Sequence, residues 1–209
     1  MTPRMSEAPA AVPELQTATK LRTVPSEGSG LIIPQLVPNR AVQKGNPRQV
    51  RTLAVPLYVP LDLENVPQWV CWRYDVRDGK TTKIPVNPHT GGNAKTDTPS
   101  TWADFETALD YYDRNPAYLS GVGLVLRGTD LVGVDLDHCV GDDLTIAPWA
   151  LAIVRSLASY TEVSPSGTGL RVFGFGSKPG RREKRGGVEL YDHTSTRFLT
   201  FTGRHLPGT

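Results

Sequence analysis

Two aspartates stand two residues apart in Leu131-Val132-Gly133-Val134-Asp135-Leu136-Asp137-His138. The segment is β-prone, and side chains alternate faces along a strand. Val132, Val134 and Leu136 therefore point into a core, while Asp135 and Asp137 share the opposite face with Gly133. Carboxylates at i and i+2 lie roughly 6.5–7 Å apart along a strand and repel one another unless a cation sits between them. Hard oxygen donors suit Mg2+ or Mn2+. Two such ions about 3.5–4 Å apart are the device by which phosphoryl and nucleotidyl transfer enzymes stabilise attacking and leaving oxygens together. The missing side chain at Gly133 leaves room for a ligand. The same pattern also suits a solvent-exposed strand end. Zinc is not expected: His138 and Cys139 are adjacent, so they face opposite ways on a strand, and no second Cys/His pair stands at a zinc spacing.

Three further segments carry chemistry-bearing residues. In Thr161-Glu162-Val163-Ser164-Pro165-Ser166-Gly167-Thr168-Gly169-Leu170-Arg171 a strand, a Ser/Gly turn and a strand follow one another. Glycine allows the turn and exposes backbone N–H groups. With Ser164, Ser166, Gly167 and Arg171 the segment suits a triphosphate, or a plain β-turn. Lys178, Arg181, Arg182, Lys184 and Arg185 crowd a glycine-flanked loop, which suits a solvated loop or phosphate contact with nucleic acid. The spacing Gly174-x-Gly176-x-x-x-Gly180 is not a dinucleotide fingerprint, because the spacing is wrong and no helix follows. In Val188-Glu189-Leu190-Tyr191, Glu189 and Tyr191 share a face; if this strand lies beside Asp135, Glu189 becomes a third carboxylate at the metals. Arg197 suits either phosphate charge or a surface carboxylate.

These residues need a scaffold, and its elements are readable. Trp69 to Tyr74 and Thr81 to Val86, joined through Asp78-Gly79, predict a hairpin. Thr98-Pro99-Ser100-Thr101 predicts a capped helix start, with Trp102, Phe105, Leu109 and Tyr112 at helical spacing and an end near Asn115-Pro116. Val122 to Leu126 and Leu131 to Asp137 read as strands. Pro148 opens a second helix whose Trp149, Ile153 and Leu157 share a face. Tyr160 to Val163, Leu170 to Phe175, Val188 to Tyr191 and Phe198 to Thr202 complete the strands. The expected class is α+β: a largely antiparallel sheet carrying the metal site, flanked by two main helices. Trp69, Trp72 and Trp102 are expected in the core.

Composition sets the boundaries. Of the 18 prolines, nine lie before residue 61, in a stretch with no Trp or Phe and only Tyr58 as an aromatic. Seven cations face three glutamates there. Such a segment buries too little apolar surface to offset its ordering entropy. Residues 1–60 are therefore expected to be a disordered basic arm, either a solvated tail or a non-specific nucleic-acid contact, and residues 61–209 the folded domain. No window approaches 18 consecutive apolar residues, so no membrane partner is expected. Two cysteines, Cys71 and Cys139, and no visible secretory signal point to a reduced, cytoplasmic setting.

In order along residues 67–207, several segments together resemble the primase–polymerase domains of the archaeo-eukaryotic primase superfamily, in particular phage and plasmid replication proteins. They are Gln68-Trp69-Val70-Cys71-Trp72, Lys83-Ile84-Pro85-Val86-Asn87-Pro88, Pro99-Ser100-Thr101-Trp102, Gly121-Val122-Gly123-Leu124-Val125, Val134-Asp135-Leu136-Asp137-His138-Cys139, Ser164 to Leu170, Val188-Glu189-Leu190-Tyr191, and Arg197 to Gly203. The resemblance implies a primase–polymerase fold. It also implies a DNA primase and polymerase activity joining nucleoside triphosphates on a single-stranded DNA template with two Mg2+ or Mn2+ ions. Asp135, Asp137 and Glu189 match the metal-binding acids, and the serine/glycine turn matches the motif that contacts the nucleotide phosphates. Arg171 stands where a histidine is common; an arginine keeps bidentate phosphate donation but no neutral imidazole. Lys83 is an expected phosphate or template contact. Relatives usually continue into a helical region and often a helicase, so a replicative helicase is an expected partner. A non-catalytic replication accessory and a metal-dependent nuclease are the alternative functions.

Overall fold

The computed structural model describes residues 22–23, 59–180 and 184–209. The expected arm falls almost wholly outside the described residues, as do Arg181 and Arg182. In chain order the elements are β1 (Arg22–Thr23), α1 (Leu61–Glu64), β2 (Trp69–Arg77), β3 (Lys80–Val86), a 3-10 turn (Pro99–Thr101), α2 (Phe105–Arg114), β4 (Gly121–Val125), β5 (Leu131–Leu136), α3 (Pro148–Leu157), β6 (Thr161–Val163), β7 (Leu170–Phe175), β8 (Lys184–Arg185), β9 (Val188–Tyr191) and β10 (Phe198–Phe201). The class is α+β with antiparallel pairing, as expected. The number of sheets differs from the expectation. Two sheets lie in two compact units, each with one main helix, where one sheet with both helices was expected.

The first unit comprises residues 59–127 and 196–203, with sheet order β10-β4-β2-β3. The predicted hairpin is β2–β3, closed between Arg77 and Lys80. Its two turn residues, Asp78 and Gly79, have φ of 51° and 72°, the left-handed pair that a two-residue hairpin needs and that Asp-Gly adopts readily. Trp69, Trp72 and Trp102 are all buried. The Trp69 ring meets Phe105 at 4.8 Å and Phe201 at 5.5 Å, so these aromatics fill the core.

The start of α2 is a correction. Thr98 to Thr101 form only the 3-10 turn, and the helix begins at Phe105, where Asp104 Oδ1 accepts from Thr107 N at 2.7 Å. That hydrogen bond also lowers the Asp104 pKa. The reason is tertiary. Trp69 and Ala103 exchange both backbone hydrogen bonds at 2.8 Å, which holds Trp102 and Ala103 extended against β2 and defers the helix. Residues at the sheet edge override a local cap.

The second unit comprises residues 128–195 and 204–209 together with β1, which pairs with β7. Strand order is β1-β7-β5-β9-β8, with β6 also on β7. Directly opposed residues share a face. Val134 pairs with Val172 and Leu190, and Leu136 with Leu170 and Val188. These side chains form one apolar face. Helix α3 buries Trp149, Ile153 and Leu157, the face read from its spacing, and packs on β7. No helix among the described residues is long and apolar enough to cross a membrane.

Candidate active site

The other face of the β5 sheet is charged. Glu162 on β6 pairs with Arg171 on β7, Arg171 with Asp135 on β5, Asp135 with Glu189 on β9, and Glu189 with Lys184 on β8. Five ionisable side chains thus form one row across five strands. Asp137 follows just past β5, on the same face as Asp135 by the alternation of the strand. Its N–H donates to Gly187 O at 2.8 Å, which keeps it beside the β8–β9 turn. His138 then turns the chain away with φ of 53°. Asp135, Asp137 and Glu189 are thereby brought together.

Each carboxylate has a neighbour of known identity. Arg171 donates from Nε to Asp135 Oδ1 at 2.6 Å and from Nη2 to Oδ2 at 3.1 Å. Its side chain is only 5% exposed. Burial works against a charged guanidinium, but Asp135, Glu162 and Asp137 outweigh it and raise the Arg171 pKa. Glu189 receives hydrogen bonds from Lys184 Nζ and from the Tyr191 hydroxyl. Lys184 Nζ also lies 3.7 Å from Asp137 Oδ2. The Asp137 pKa is raised by burial and then by the negative charges of Glu189 and Asp135, with Lys184 and His138 opposing. Three acids, Asp135, Asp137 and Glu189, thus lie against two cations, Arg171 and Lys184. With the acids turned onto Arg171, Lys184 and Tyr191, no three His, Cys, Asp or Glu side chains among the described residues converge closely enough to hold a metal as they stand.

The Ser/Gly turn adjoins the acids. Ser164 N donates to Gly169 O at 2.9 Å, and Val140 N donates to Thr168 O at 3.0 Å. A Cβ at Gly169 would stand 2.6 Å from the Leu136 carbonyl oxygen, so only glycine lets the turn lie this close to the end of β5. Ser164 Oγ is 3.0 Å from Ser166 Oγ, which is 3.0 Å from Thr168 Oγ1. Gly167 takes φ of 81° between them. Three hydroxyls thus run along the turn.

No family model matches the chain. A curated relative from Nitratiruptor phage NrS-1, named DNA Primase-polymerase, is 34% identical over 154 residues, which are 70% of this chain and 20% of the relative. The chain contains a domain of the phage primase–polymerase type. It spans about a fifth of the length of that relative.

Within this primase–polymerase domain the described residues of the basic loop differ in exposure. Lys178 is turned onto the folded chain. Its Nζ donates to Ser195 Oγ at 3.2 Å and lies 3.7 Å from Asp192 Oδ1, and its side chain is 4% exposed. Its ammonium is thus buried against Asp192. Lys184 sits on the acids, and Arg185 is half-buried in β8. Lys83 and Arg197 belong to the other unit. Lys83 Nζ lies 5.8 Å from the centroid of the Trp72 ring, and Arg197 is exposed just before β10.

Sequence reasoning passed over four residues. Glu162 is fully buried, next to Arg171 in register, and Tyr160 Oη donates to its Oε2 at 3.4 Å. Arg204 donates to the Ser164 carbonyl and braces the turn. Thr168 extends the hydroxyl run, and Tyr191 holds Glu189. Glu162 had a visible signal, as the one charged residue in a short apolar strand. Arg204 had none, since its partner is distant in sequence.

Proposed function

We propose that this domain is a DNA primase–polymerase catalytic module that performs template-directed nucleotidyl transfer. The observation that carries it is the register that sets Asp135 opposite Glu189, with Asp137 on the same face. The similarity to the phage relative named DNA Primase-polymerase supports the reaction class. Three carboxylates with excess negative charge fit hard divalent cations. Asp135, Asp137 and Glu189 would hold Mg2+ or Mn2+, two ions being expected. When bound, such ions neutralise charge at the transferring phosphate and activate the attacking hydroxyl.

The remaining work falls to the chain's own residues. Arg171, clamped on both Asp135 oxygens, fixes that carboxylate's orientation and places positive charge behind the site. Ser164, Ser166 and Thr168 hydroxyls can rotate toward phosphate oxygens, while the Gly167 N–H, donating to Ser164 O at 3.0 Å, holds the turn closed. Triphosphate binding therefore rests first on the turn. Arg185, with Arg181 and Arg182, is a proposed contact for the single-stranded DNA template; in the other unit, Lys83 is separately proposed as a template contact and Arg197 as a phosphate contact. A replicative helicase is the proposed partner.

The test is incorporation of labelled nucleotide on a single-stranded template, with and without primer, under Mg2+ and Mn2+. Wild type incorporates, and Asp135→Asn and Asp137→Asn fall below about 1% of it, the scale of loss when a charge-stabilising group is removed. Circular dichroism confirms folding of the variants. Equal incorporation by all three proteins rejects the assignment. Binding without incorporation indicates a replication accessory, and shortening of DNA without nucleotide indicates a nuclease.

A further inference from the structure

We propose that Lys184 is a resident counter-cation that occupies the acidic site in the metal-free protein and leaves it when a divalent ion binds. The inference rests on the metal-binding reading above and adds the event that opens the site. Lys184 Nζ contacts Glu189 Oε1 and lies 3.7 Å from Asp137 Oδ2. It therefore bridges Glu189 on β9 and Asp137 just past the end of β5, the place where a shared metal cation is expected.

The two cations of the row are built differently. Arg171 has a nearly buried side chain, is held by two hydrogen bonds and sits in the middle of the sheet. It stays with Asp135. The Lys184 side chain is 61% exposed and springs from the two-residue strand β8 at the sheet edge. Its four-carbon stem can swing into solvent at little cost, and an exposed ion pair holds it only weakly. A divalent ion brings twice the charge and accepts several oxygens. Exchange thus frees Glu189 and Asp137 to turn inward, which the present arrangement of acids requires before three donors can converge. The released ammonium remains beside the site, where it meets the triphosphate.

The experiment uses the full chain without nucleotide or DNA. Free Mn2+ is followed by electron paramagnetic resonance during titration of wild type, Lys184→Met and Asp137→Asn. Amine acylation at Lys184 in wild type is followed by mass spectrometry. Mn2+ is expected to speed labelling of Lys184, and Lys184→Met is expected to bind Mn2+ about fivefold tighter, the scale of one exposed ion pair. Asp137→Asn binds more weakly than wild type. If wild type binds Mn2+ yet Lys184 labelling is unchanged, or Lys184→Met binds no tighter, the displacement role is overturned and the metal site stands. If wild type binds no Mn2+, both fall.

Discussion

Arg171 and Asp135 face one another across β7 and β5, joined by hydrogen bonds of 2.6 and 3.1 Å from one guanidinium to both oxygens of one carboxylate. The pair sits between Glu162 on one side and Glu189 on the other. A candidate metal ligand is thus oriented by a neighbour that itself has a buried acid behind it. This ties the proposed chemistry to the integrity of the sheet.

Removing the guanidinium should be costly. Arg171→Met leaves Asp135 and the fully buried Glu162 without their shared cation. Truncating one partner of a buried pair costs about 3–5 kcal/mol. Urea unfolding of Arg171→Met is expected to show a loss of that size, and the double variant Arg171→Met/Asp135→Asn a smaller one. A single variant as stable as wild type contradicts the pairing.

Asp137 should act in the opposite sense. Its pKa is raised, first by burial and then by Glu189 and Asp135. A proton held more tightly in the folded chain adds stability below the ordinary aspartate value, about 3.9, and that stability is lost as the pH rises through the raised folded value. In chelator, Asp137→Asn is therefore expected to melt at a higher temperature than wild type at pH 7. The gap narrows below about pH 4. Thermal unfolding across this range checks it, and a variant that melts lower at pH 7 refutes it.

The close approach of the Ser/Gly turn to β5 gives a third prediction. In Gly169→Ala the new methyl meets the Leu136 carbonyl oxygen at 2.6 Å and Ser164 Oγ at 3.3 Å, and backbone must move. Overpacking of this kind costs about 1–3 kcal/mol. Because the turn is displaced relative to Asp137, the KM for nucleotide is expected to rise more than kcat falls. Steady-state kinetics with urea unfolding separates the two effects, and an unchanged KM places nucleotide binding elsewhere.

The tryptophan core, the Asp78-Gly79 hairpin and the buried face of α3 were readable because each depends on local alternation, helical spacing or turn chemistry. The start of α2 was not readable at Thr98. Its deferral to Phe105 depends on Trp69 and Ala103, which are far apart in sequence and bond only after β2 has formed. The burial of Lys178 was not readable for a related reason. A lysine among four other cations looks solvent-facing, and only the folded chain brings Asp192 and Ser195 beneath it.

The amino-acid sequence alone determined that Asp135 and Asp137 share a strand face, since a period of two is a property of the extended backbone. It also placed Glu189 and Tyr191 on a common face of their own strand. Which strands flank β5, and in what register, was decided by packing of Val134, Leu136, Val172, Leu190 and their neighbours across strands remote in sequence. A slip of one residue would turn Glu189 to the apolar side. Tertiary pairing therefore chose which cation each acid meets: Arg171, fixed in the sheet, for Asp135, and Lys184, at the exposed edge, for Glu189 and Asp137.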